Sequence, residues 1–177
     1  MKYIFSIILC FLFVRNIYSN PQDNLNECLN WIGKHESLLI ERGAINHIQD
    51  VDLRQYGWAL LRHFVWIQGN IGFYAQTSDG IITTVHSIRF ANGVNQNGLI
   101  LQNYTNRSEY EVDMEFVRRL VNSNNGRLVS TSDLFGIRSI DYEYFTREYK
   151  VNIVVWMNLE NQSTRGIGSI DIKVTTR

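Results

Sequence analysis

The sequence predicts a mainly β domain, an antiparallel β-sandwich or barrel-like arrangement with an N-terminal helix. Three observations carry that expectation. Short runs of β-branched and aromatic residues recur from about residue 56 to 176. Asp-Gly and Asn-Gly pairs of hairpin type separate some of them. One stretch near the start, about residues 23–42, has helical spacing instead.

The chain opens with Met1, Lys2 and Tyr3, and Ile4 to Val14 is then almost wholly apolar. A short basic start followed by such a run has the form of a signal peptide. It reaches only about half the length needed to cross a hydrocarbon core. Ile17-Tyr18-Ser19 offers a small residue for cleavage, so residues 1–19 are expected to be removed and 20–177 to form one secreted, extracellular domain. The competing reading is an uncleaved N-terminal anchor, which Arg15 at the far end of the run disfavours. Three N-x-S/T triplets begin at Asn103, Asn106 and Asn161. They carry glycan only on an exported chain, so together they support the same reading.

Removing residues 1–19 from 177 leaves 158, enough for one domain with a real core. Lys2 and Arg15 leave with the signal, so 15 of the 17 basic residues face 17 acidic ones and the net charge is about −2. A near-neutral chain without a basic run argues against nucleic acid as partner, and against electrostatic docking or insertion at a membrane. Cys10 is also lost, which leaves Cys28 alone without an intrachain disulfide. Three states are open for it: a buried thiol, an intermolecular disulfide that would link a homodimer, or a nucleophile paired with one of the histidines.

Within the helical stretch, Leu25, Cys28, Leu29, Ile32, Glu36 and Leu39 follow three-and-four spacing, with Glu36 the polar exception. Asp23 or Asn24 can cap its start and Gly43 can end it in a left-handed conformation. Gly33 weakens the segment from inside. Tyr56 to Ile67 has apolar residues on both alternating faces, as a central strand does. Asp79-Gly80 between Gly72–Thr77 and Ile81–Phe90 is a hairpin signal. Leu99 to Tyr104 reads as a short strand. Glu109 to Val121 fits a strand and a helix alike, and the Asn125-Gly126 pair that follows tilts it toward a hairpin leading into Leu128-Val129-Ser130-Thr131. Leu134–Phe145, Glu148–Met157 and Ser169–Thr176 complete the strands, the last with Ile170, Ile172 and Val174 alternating against Asp171, Lys173 and Thr175.

Reactive constellations are sparse. The histidines at 35, 47, 63 and 86 lack the close spacing of metal ligands, so no metal is expected, although two on different strands could meet in space. No G-x-S-x-G elbow, phosphate loop or G-x-G-x-x-G is present, so no cofactor is expected either. Asp141 and Glu143 share a strand face at roughly 6–7 Å, a spacing glycosidase carboxylates use, but a solvated strand face explains them more simply. Most aromatic rings are expected in the core. Tyr104, Tyr110, Tyr142 and Tyr144 are the candidates for an exposed binding surface.

The segment Ser163-Thr164-Arg165-Gly166-Ile167-Gly168, followed by alternating Ile170, Ile172 and Val174, resembles the ending of a family of arthropod secreted proteins, the multiprotein-bridging-factor-two or salivary secreted peptides. Paired glycines before that turn are lacking here, and the chain is longer than usual for the family. The resemblance implies a non-enzymatic, β-rich secreted protein and assigns no functional residue. The leading expectation is a non-catalytic binding or effector glycoprotein acting on an extracellular protein or glycan. A small hydrolase with an unfamiliar site, or a structural secretion linked through Cys28, are the alternatives.

Overall fold

The structure is a computed structural model that describes residues 20–47, 49–68, 71–89, 107–134, 136–159 and 168–177. The signal segment, the Leu99–Tyr104 strand, Tyr104, the three acceptor asparagines and the 163–167 turn lie outside the described residues. The protein is mainly β, with an N-terminal helix, as its sequence indicates. Among the described residues, all strands belong to one antiparallel sheet that is not closed into a barrel, and helices supply the second layer.

The predicted 23–42 helix is two helices. Helix α1 spans Pro21–Trp31 and α2 spans Ser37–Glu41. Asn20 caps α1, its side chain accepting from the Asp23 amide at 2.9 Å, and Pro21 sits at the first turn where no amide is needed. The break follows from Gly33, which turns left-handed at φ +79°. His35 then bridges to Ile81, and Glu36 is buried against Arg62 and Thr77. Gly43 does take the left-handed conformation after α2, at φ +87°.

Two short strands, β1 (Ile45–Asn46) and β2 (Val51–Asp52), share one edge of β3 (Leu60–Gln68). The strand expected from Tyr56 therefore starts later, and Tyr56 lies in a single 3-10 turn. Strands β4 (Ile71–Ser78) and β5 (Ile81–Arg89) form the expected hairpin, with Asp79 at φ 50° and Gly80 at φ 82°. Thr83 is an extra residue opposite the Gln76/Thr77 step. That bulge lets both Ile82 and Val85 reach the core, which simple alternation forbids.

Residues 109–121 belong to a helix, α3 (Arg107–Ser123), and not to the hairpin toward which Asn125-Gly126 tilted them. Tyr110, Met114, Val117 and Val121 are its buried stripe at three-and-four spacing. The Asn-Gly pair ends the helix instead. Gly126 N–H donates to Val121 O at 2.7 Å, and Asn125, at φ 51°, donates to Asn122 O at 3.3 Å. This is the paired bonding of a left-handed helix terminus.

A four-stranded meander follows: β6 (Arg127–Leu134), β7 (Ile137–Phe145), β8 (Tyr149–Asn158) and β9 (Gly168–Thr176). It rejoins the first half where β9 pairs with β5, giving the order β1-β3-β4-β5-β9-β8-β7-β6 with β2 also on β3. Helix α1 lies over the β5–β9 seam. Phe64, Phe73, Val85, Ile153, Val155, Ile170, Ile172 and Val174 from the sheet join Leu25, Cys28, Val117 and Val121 from the helices in one core.

Cys28 is completely buried, its Sγ 3.9 Å from Ile172 O, and burial pushes the thiol up to about 12. The buried-thiol alternative therefore holds for this fold, and a disulfide-linked dimer would require α1 to leave the sheet. Native Cys28 is expected to be inert to a thiol reagent until urea unfolds the chain. Ile172→Ala should cost roughly 2–5 kcal/mol in urea titration, while Val112→Ala on the exposed side of α3 stays within about 0.5 kcal/mol. Equal effects of the two substitutions would contradict this account of the core.

Candidate functional site

Side chains alternate across each strand, so the register assigns every residue to a face. The apolar alternates meet the helices. The other alternates build a second face on which, among the described residues, no helix packs. Its middle row crosses seven strands without a gap: Val65, Tyr74, His86, Lys173, Asn152, Glu143 and Arg127 are successive cross-strand partners from β3 to β6. Such partners stand about 4.5–5.5 Å apart. On the row beside it, Asp171 pairs with Val154, and Val154 with Asp141. The sequence's hope that two histidines might meet is met only indirectly, because His63 bonds through Nδ1 to the Tyr74 hydroxyl and Tyr74 stands opposite His86.

The β6–β7 end of this face is electrostatically closed. Glu143 accepts from Arg127 Nε at 2.7 Å and from Lys150 Nζ at 2.7 Å, and these cations hold its carboxyl below the usual range. Asp141 accepts from the Ser130 hydroxyl. Glu143 therefore cannot serve as the proton donor of a glycosidase pair, since both oxygens are engaged and the carboxylate is stabilised. Of the tyrosines expected at the surface, Tyr110 and Tyr144 are buried and Tyr142 packs half-buried against the core. The reason is register: Tyr142 and Tyr144 alternate onto the helix side, and Tyr110 lies on the apolar stripe of α3. None of the three is a surface anchor.

The middle of the face is different. Asp171 is only 7% exposed, and its Oδ2 accepts from the Trp156 indole N–H at 2.8 Å. Its Oδ1 is buried with no hydrogen-bond partner. Burial without a cation pushes this carboxyl up to about 6, partly offset by the indole bond. Diagonally across on β5, burial and the Lys173 charge push His86 down to about 4. An acid raised and a base lowered therefore share one face with a tryptophan that keeps 36% of its surface exposed. No group of three His, Cys, Asp or Glu side chains among the described residues stands close enough to hold a metal ion.

Sequence reading did not single out Asp171, Trp156 or His86 as a group. Alternation on the last strand already put Asp171 and Lys173 on one face, but nothing local showed that β9 lies between β5 and β8. That placement alone brings the three together.

The two shifted groups make opposite contributions to stability. Native Asp171 keeps its proton between about pH 4 and 6, where the unfolded chain has lost it. Its contribution is therefore full below pH 4 and is lost as pH rises through 6. Native His86 stays neutral between about 4 and its ordinary 6.5, so its contribution is present above 6.5 and is lost as pH falls toward 4. Asp171→Asn should gain stability over the unsubstituted protein as pH rises from 4 to 8, by up to about 3 kcal/mol. His86→Gln should gain as pH falls from 7 to 4. Thermal melts across that range check both, and parallel profiles for all three proteins would refute the burial account.

No family model matches the chain, and no curated protein does. Among solved structures, it is similar to a cysteine-rich secretory protein of Staphylococcus aureus, with 12% identity and a TM-score of 0.41. The likeness covers 84% of this chain and 44% of that one, so this chain spans under half of that protein.

Proposed function

We propose that this protein is an exported, non-catalytic binding glycoprotein that engages an extracellular protein or glycan through the polar face of its sheet. The carrying observation is the unpaired, buried Oδ1 of Asp171 beside the part-exposed Trp156. A buried acceptor without a donor costs about 1–3 kcal/mol, which a ligand donor would restore. The remaining support is from the sequence: the signal-like start, the three acceptor triplets and the absence of a reactive motif.

A second reading, a small hydrolase, is favoured by one observation: a carboxyl near 6 and a neutral histidine on one face are suited to proton transfer near neutral pH. The binding reading is preferred because the neighbouring carboxylates are already engaged, Glu143 by Arg127 and Lys150 and Asp141 by the Ser130 hydroxyl.

Expression in a secreting eukaryotic cell tests the export half. Mature protein should begin near Asn20 and lose mass to a glycosidase, whereas a retained, unglycosylated chain starting at Met1 would remove it. For the binding half, Trp156→Ala and Lys173→Glu should each weaken a captured extracellular partner, while Val112→Ala on α3 should not. Loss of binding only with the α3 change would move the site to the helical side. Turnover of a hydrolase substrate abolished by Asp171→Asn would replace binding with catalysis.

A further inference from the structure

The polar face offers a more specific chemistry than a generic docking surface. As a carboxylate, Asp171 lacks a hydrogen-bond donor at Oδ1, because no neighbour pairs with that oxygen in the structure. The Trp156 indole N–H fixes Oδ2 at 2.8 Å, so the ring and the carboxyl are held in one constant relation. The ring itself is 36% exposed, which leaves part of its surface for contact. A donor hydroxyl placed at Oδ1 would carry the atoms next to it toward that ring.

The surrounding charges narrow the donor. Lys173 lies two residues along the same face of β9 and opposite His86, about 6.6–7 Å from Asp171 along the strand. Lys150 and Arg127 face the same side and are occupied by Glu143. An ammonium or guanidinium at Asp171 would approach Lys173, while an anion would meet the Asp171 carboxylate. A neutral hydroxyl avoids both costs. Neutral sugars combine hydroxyl donors with apolar C–H surfaces that lie against aromatic rings.

Resting on the binding reading above, we propose that Asp171 and Trp156 form a subsite for a neutral oligosaccharide. Asp171 Oδ1 accepts from a sugar hydroxyl, Trp156 contacts the pyranose C–H face, and neutral His86 offers a further donor or acceptor on the next strand.

The experiment is a nuclear magnetic resonance titration of the full mature protein, following the four tryptophan indole N–H signals and the backbone amides. The probes are cellotriose, maltotriose and triacetylchitotriose, then sialyllactose and an arginine-rich peptide. At least one neutral trisaccharide should shift the Trp156 indole and the β9 amides near Asp171, saturably. Asp171→Asn should weaken that response about tenfold or more. Trp156→Phe keeps a ring and should weaken it less than Trp156→Ala. Folding of each variant is checked by its amide spectrum. Shifts on this face with sialyllactose or the peptide alone would overturn the neutral-sugar inference and leave the docking face standing. Silence on this face with every probe would overturn the inference, and partner binding that ignores Trp156 and Lys173 would overturn the docking face as well. Equal titration of Asp171→Asn and the unsubstituted protein would remove Asp171 from the subsite.

Discussion

The fold depends on the pairing of β5 with β9. The sheet consists of two antiparallel meanders, and only the Thr84–Ser87 with Ile172–Thr175 register joins them. The partners are some 90 residues apart in sequence, so of the strand pairings this one closes the longest loop and meets the largest loop-closure entropy. Helix α1 holds it from above. Cys28 sits over the seam, where both its Sγ and Ser87 Oγ approach Ile172 O, and Leu25 and Trp31 join the same core. Without an intrachain disulfide among the described residues, this helix-over-seam packing does what cross-links do in many exported domains.

The seam also decides the chemistry of the other face. By lying between β5 and β8, strand β9 carries Asp171 and Lys173 to the middle of the sheet, where Asp171 is buried while Lys173 stays exposed. At a sheet edge the same aspartate would be an ordinary solvated carboxylate. In the middle it loses hydration, its proton affinity rises, and one oxygen remains without a donor. His86 responds to the same burial with the opposite sign, because for histidine the charged form is the protonated one. Stability and site chemistry therefore have one source.

The two outer ends of the sheet are handled differently. On β3, the short β1 and β2 strands cover one edge, and Arg62 joins Glu36 and Asp50 there. On β6, the extra residue Val129 interrupts the ladder, and Asp133 pairs with Arg138 of β7. A bulged, charged edge is a poor template for further strands.

Local rules made much of the fold legible. Alternation identified β7, β8 and β9, the Asp79-Gly80 pair identified the β4–β5 hairpin, and Gly33 marked the weak point at which the first helix breaks. The 109–121 segment resisted, because Val112, Phe116 and Leu120 suit both periods and Asn-Gly serves a hairpin and a helix terminus equally well. Packing of Met114 and Val117 on the core decided it. Tyr110 and Tyr144 were misplaced because polarity at a ring's tip says little about which face its backbone presents. By itself the sequence determined a mainly β domain with an N-terminal helix and which residues alternate together along each strand. Only the tertiary structure decided which strands are neighbours. Burial, and with it the pairing of Trp156 with an unsatisfied Asp171, is a property of that neighbourhood and not of any local segment.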